Sequence, residues 1–231
     1  MRRRLVIVIF FRYDARMDNE QPAGRYSVSG NVEAEFVDAA QTILVNRPGI
    51  TDLETLQIAE EEALASAYES LLAEVRMDTP ISCGLIRHAH HCIFAGLYEW
   101  AGRWRTLQIS KGTTVWPAAQ FLDQSMIDFE HTVLAAYPAS ALDDDGAFCR
   151  AAGVIQGEFL AIHPFREGNA RTIKLVTNLL AAQTGRPLLI YDSTNTGTDR
   201  YIAAAKAAFA RKNYEPMTGI IRQALQDSRT H

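Results

Sequence analysis

Two apolar helical runs meet at a short polar break, His163-Pro164-Phe165-Arg166-Glu167-Gly168-Asn169-Ala170-Arg171-Thr172. Val154, Ile155, Phe159, Leu160 and Ile162 carry the first run, and Ile173, Leu175, Val176, Leu179 and Leu180 the second, both at helical spacing. Proline cannot continue the hydrogen-bond ladder and drives its predecessor out of helical geometry, so the first helix stops at His163. Gly168 then opens the second, which runs to Thr184 before Gly185. The loop thus ends at a helix N-terminus whose N–H groups point outward.

The rest of the chain reads as helix in the same way. Thr51-Asp52-Leu53-Glu54 is a capping-box sequence ahead of an apolar stripe from Leu53 to Val75. Thr79-Pro80 supplies an N-cap and a first-turn proline for a helix to about Tyr98. Pro117 opens a third helix to Tyr137, Asp143-Asp144-Asp145 a fourth to Ile162, and Thr198–Arg211 and Pro216–Asp227 are helical again. The one β signal is Leu107–Trp116, where Lys111-Gly112 between strand formers suggests a hairpin. Residues 17–50 are a turn-rich lead-in with one short strand near Val32–Phe36. The expectation is a mostly α domain over residues 51–231 with a small β element, preceded by a lead-in over residues 1–50.

The net charge of −4 over 231 residues gives no electrostatic case for nucleic acid or a membrane surface. The charge is uneven, since residues 1–16 carry +4. Arg2-Arg3-Arg4 followed by Leu5–Phe11 resembles half a signal peptide, yet the apolar run is short and no small-residue cleavage site follows. An added strand, or a start at Met17, are the other readings. Cys83, Cys92 and Cys149 show no disulfide framework, which points to reduced thiols in a cytoplasmic protein.

The chemistry concentrates in the loop. A helix N-terminus is an anion site, and Gly168 lets the backbone approach a phosphate closely. Arg171 adds a planar fork for phosphate oxygens. A carboxylate beside such a nest, Glu167, is useful where a cation bridges it to the phosphates, as Mg²⁺ does. His163 can take a proton near neutral pH. Base, metal ligand and phosphate nest within nine residues describe a phosphoryl- or nucleotidyl-transfer site.

This stretch resembles the signature loop of the Fic (Fic/Doc) family, HPFx(D/E)GNGRxxR. Leu97-Tyr98-Glu99-Trp100-Ala101-Gly102-Arg103-Trp104-Arg105-Thr106 is similar to the segment before that family's active-site flap. The resemblance implies an all-α core with a β-hairpin flap, and transfer of AMP from ATP to a Tyr, Ser or Thr hydroxyl of a target protein. His163 would be the general base and Glu167 would hold Mg²⁺. Gly168, Asn169 and Ala170 would form the anion hole, Arg171 would pair with the β-phosphate, and Arg166 and Lys174 would complete the nucleotide-binding set. Phe165 would anchor the loop. Ile109, Ser110, Lys111, Gly112, Thr113 and Thr114 would dock the target backbone by strand addition.

Two positions depart from the family pattern. Ala170 replaces its second glycine and keeps the N–H, which is tolerable in helical geometry. Lys174 replaces its final arginine and offers a point charge without the fork, weakening the expected grip on a γ-phosphate. The alternatives are a Doc-like protein kinase and a catalytically quiet nucleotide-binding module. Ser29-Gly30-Asn31-Val32-Glu33-Ala34 nearly fits the family's inhibitory (S/T)xxxE(G/N), making Glu33 a candidate inhibitory residue. Inhibition by a separate antitoxin-like protein stays open. His88, His90 and His91 read as surface or core histidines ahead of a zinc site, and Asp143-Asp144-Asp145 as a helix start.

Overall fold

The computed structural model describes residues 31–111 and 114–230. The basic segment 1–16, and Ser29, Gly30, Gly112 and Thr113, lie outside the described residues. Within them the protein is mostly α, with seven α-helices and one two-stranded antiparallel sheet. Helix α1 spans Leu53–Glu74, α2 Cys83–Phe94, α3 Leu122–Thr132, α4 Asp145–Ile162, α5 Asn169–Gln183, α6 Asn195–Arg211 and α7 Glu215–Thr230. Strand β1 is Ser110–Lys111 and β2 Thr114–Val115, paired Ser110 to Val115 and Lys111 to Thr114.

Side-chain caps set most helix starts. Asp52, Ser82, Asp144 and Thr194 each accept from a backbone N–H three residues on. Two expected starts move as a result. The α1 cap is Asp52 in place of Thr51, and α2 begins at Cys83, capped by Ser82, in place of Pro80. The Thr79 carbonyl is instead engaged by Gln183 Nε2 at 2.6 Å. The helix expected over Pro117–Tyr137 is α3 flanked by 3₁₀ turns at Ala119–Phe121 and Leu134–Ala136. The strand expected near Val32–Phe36 is a 3₁₀ turn, Val32–Ala34, followed by one bridge between Phe36 and Leu44.

Helix α4 is the axis of the fold. It packs against α3, α5, α6 and α7, with Phe148, Ala151, Ala152 and Phe159 fully buried. Gly153 allows the α4–α7 crossing, since a Cβ there would lie 2.4 Å from Thr218 Oγ1. Helices α1, α2 and α5 form the other side of the core. Among the described residues no helix is long and apolar enough to cross a membrane, and the three cysteines are unbridged.

Candidate active site

Helix α4 ends at His163, whose backbone takes the left-handed conformation at φ 54°. For a non-glycine residue this costs about 1–2 kcal/mol, so the surroundings must impose it. Arg105 does so. Its Nε donates to the His163 carbonyl at 2.9 Å, and its backbone N–H donates to the Pro164 carbonyl at 2.8 Å. The same guanidinium reaches the Leu107 carbonyl at 2.6 Å and the Pro117 carbonyl at 2.7 Å. One buried side chain therefore clamps the His163 turn to both ends of the hairpin. Burial pulls the Arg105 guanidinium down to about 10, with the Glu33 charge acting the other way. The His163 imidazole lies against the Trp116 ring, centroids 4.2 Å apart, and the Trp116 indole N–H donates to the Leu160 carbonyl.

The loop beyond His163 is braced from inside. Phe165 is fully buried and stacks on His90 at 3.7 Å, with Trp104 on another side at 4.8 Å. The Asn169 side chain closes the turn on itself, accepting from Phe165 N–H at 2.9 Å and donating to the Phe165 carbonyl at 2.8 Å. His90 Nδ1 accepts from Gly102 N–H at 2.8 Å, so its proton sits on Nε2 and donates to the Glu167 carbonyl at 3.1 Å. Burial pushes this imidazole down to about 3, which keeps it neutral. Gly168 sits at φ 77° directly over Phe94, and a Cβ there would fall 2.2 Å from the ring. Its N–H donates to Glu167 Oε1. The outward N–H groups of the first helical turn are thus those of Asn169, Ala170 and Arg171. Ala170 lies within α5 and needs no positive φ.

The charges of the site form a buried chain. Arg171 donates to Glu167 at 3.0 Å and to Glu60 of α1 at 2.8 Å, and its guanidinium lies 4.8 Å over Phe94. Tyr98 O–H donates to the other Glu60 oxygen at 2.9 Å. Two buried carboxylates share one guanidinium here, an excess of negative charge that fits a divalent cation held at Glu167.

The loop residues His163, Glu167, Gly168, Asn169, Ala170 and Arg171 are brought together, but three expected partners face elsewhere. Lys174 does not reach toward the loop. Its Nζ lies 4.1 Å from the Tyr201 ring and 4.7 Å from the Tyr191 ring, and burial pulls it down to about 8. It forms one wall of a cavity of about 450 Å³ against α6 and α7, lined also by Tyr191, Tyr201, Arg200 and Gln223. Arg166 turns to the lead-in, donating from Nε to the Glu33 carbonyl at 2.8 Å and stacking over Phe36. The candidate inhibitory residue Glu33 points to the segment before the hairpin. Its carboxylate accepts from Thr106 N–H at 2.8 Å and Thr106 Oγ1 at 3.1 Å and makes no ion pair with Lys174, whose ammonium lies in the tyrosine cage. Of the flap set, Ile109 is buried, Ser110 and Lys111 form β1, and Thr114 opens β2.

The structure adds residues that sequence reasoning left without a role: Arg105, Glu60, Tyr98, His90, Trp116 and the two tyrosines of the cavity. Glu60 had a legible signal, since it interrupts the Leu56–Leu64 spacing on the buried stripe of α1. His88 instead pairs with Glu74 at the surface, and among the described residues no three or more His, Cys, Asp or Glu are arranged to hold a metal.

Residues 80–181 match the model of the Fic/DOC family. The chain is 26% identical to "Probable protein adenylyltransferase y4lH" of Sinorhizobium fredii over 183 residues, 79% of this chain and 91% of that protein. It is 27% identical to "Protein adenylyltransferase VbhT" of Bartonella schoenbuchensis over 150 residues, 65% of this chain and 31% of that longer protein. Among solved structures it is similar to the N-terminal FIC domain of Bep8 from Bartonella sp. 1-1C (TM-score 0.69, 17% identity, 82% of this chain and 93% of that one). It is also similar to BepC from Bartonella tribocorum with bound AMPPNP (TM-score 0.62, 17% identity, 78% of this chain and 91% of that one). These likenesses establish the Fic fold.

Proposed function

We propose that this chain is a Fic-type protein adenylyltransferase that moves AMP from ATP to a hydroxyl side chain of a target protein. The observation that carries the reading is the loop itself, with His163 clamped by its backbone beside an α5 N-terminus that also holds Glu167 and Arg171. Relatives named protein adenylyltransferase support it.

The target hydroxyl gives its proton to the His163 imidazole as its oxygen attacks the α-phosphate. The bond from that phosphorus to the bridging oxygen of the β-phosphate breaks, and pyrophosphate leaves. The N–H groups of Asn169 and Ala170 stabilise the growing negative charge, and Arg171, whose fork holds Glu60 and Glu167, adds positive charge beside them. Glu167 would hold Mg²⁺, which supplies charge neutralisation on the phosphates. The hairpin edge at Ser110–Lys111 would take the target backbone as an added strand.

The test is label transfer from ATP to lysate proteins. Label at the α-phosphate is expected to appear on protein and to disappear with His163→Ala. Transfer of γ-label instead would identify a Doc-like kinase, and ATP binding with no transfer at all a quiet nucleotide-binding module.

A further inference from the structure

Among the described residues, the lead-in meets the 163–171 loop at Arg166, through the Glu33 carbonyl and the Phe36 ring. Asn31 caps the 3₁₀ turn Val32–Ala34, accepting from Glu33 N–H at 3.0 Å, and so fixes the direction in which Glu33 projects. The Glu33 side chain is buried, and one of its oxygens takes both the N–H and the hydroxyl of Thr106. Asn31 Nδ2 also donates to that hydroxyl at 3.0 Å. The Glu33 carbonyl accepts from Arg166, so a single residue grips two segments through two different groups.

Thr106 follows Arg105, the residue that holds His163, Pro164 and both ends of the hairpin. The anion-binding end of the loop is fixed separately, by Asn169 on Phe165, by His90 on Glu167 and Phe165, and by Gly168 over Phe94. The two halves of the site therefore have different supports. Glu33 belongs to the half that carries the base and the hairpin.

We infer that Glu33 is a positioning residue for catalysis, holding the Arg105–Thr106 segment so that His163 and the hairpin keep their places, and that its loss lowers turnover without weakening nucleotide binding. This rests on the transferase reading above and gives Glu33 the opposite sign from an inhibitory residue. A hydrogen-bonded carboxylate at a buried site is worth a factor of about ten or more when removed. Glu33→Ala is expected to lower kcat for AMP transfer about tenfold with the Kd for ATP changed less than about twofold. Glu33→Gln keeps an acceptor oxygen and should fall between wild type and Glu33→Ala.

The deciding experiment measures three quantities on the full chain with each variant: α-label transfer at saturating ATP, ATP Kd by calorimetry, and amide hydrogen exchange over residues 105–116. Faster exchange there, with exchange in α2 unchanged and transfer slowed at constant Kd, supports the inference. Transfer equal to or above wild type, a parallel loss of ATP affinity, or unchanged exchange overturns it. A wild type that transfers no AMP would sink the transferase reading instead, and the exchange measurement would still decide whether Glu33 holds the segment.

Discussion

Gly168 has no substitute in this site. Its φ of 77° strains any side chain, and a Cβ would drive into the Phe94 ring at 2.2 Å. Gly168→Ala is expected to destabilise the protein by roughly 2–5 kcal/mol, read as a lowered urea midpoint, and to abolish ATP binding by calorimetry. Glu60 carries a comparable burden through charge. Its side chain is 3% exposed and the Arg171 side chain 11%, so removing the carboxylate takes one of two buried partners from the guanidinium and the acceptor from the Tyr98 O–H. Glu60→Ala should cost about 1–3 kcal/mol in the same denaturation experiment. Lys174 gives a pH signature. Its folded value of about 8 lies below the ordinary 10.5, so between those pH values the unfolded chain binds a proton that the folded one has released. Raising pH through that window therefore favours the folded state. The stability of wild type relative to Lys174→Met is expected to rise from pH 8 to pH 10 in paired urea titrations.

At the scale of elements, the helices were legible wherever an apolar stripe and a short polar cap coincide, as at Asp144 before α4, while the helix expected from Thr198 opens earlier, at Asn195 behind the Thr194 cap. Two starts slipped for a reason no local rule contains. Thr79 and Pro117 look like openings, but their carbonyls are occupied by Gln183 and Arg105 from distant parts of the chain. Tertiary partners delay the helix to the next residue that can cap or turn it. The loop over residues 163–172 was legible because the motif it resembles is a set of residue types at fixed spacing. Its supports were not, because Arg105, His90 and Glu60 act across separations of 58, 77 and 111 residues. Gly153 shows the same limit for packing, since only the crossing of α4 and α7 gives it meaning. Gly153→Ala is expected to lose about 1–3 kcal/mol in thermal or urea unfolding, with ATP affinity by calorimetry unchanged, since Gly153 lies mid-helix, ten residues before His163.

Across the whole molecule, residues 31–50 are tied to the helical body. Arg47 bonds the Leu97 and Ala95 carbonyls, and Asn46 folds the chain by bonding Leu44 and Ile50. The charge distribution follows the same plan. A chain of net charge −4 still gathers Arg105, Arg166 and Arg171 around one loop and matches each with buried oxygen. Composition alone excluded a broad polyanion surface and was silent about a small one of this kind.

The backbone grip of Arg105 has a practical consequence. Because the turn is held through the carbonyls of His163 and Pro164, the imidazole can be removed without releasing the frame around it. Asparagine adopts the left-handed conformation more readily than most residues. His163→Asn should therefore keep the nucleotide and the docked hydroxyl in place with no base to complete the exchange, turning the protein into bait that retains its own target long enough for cross-linking and mass spectrometry to identify it.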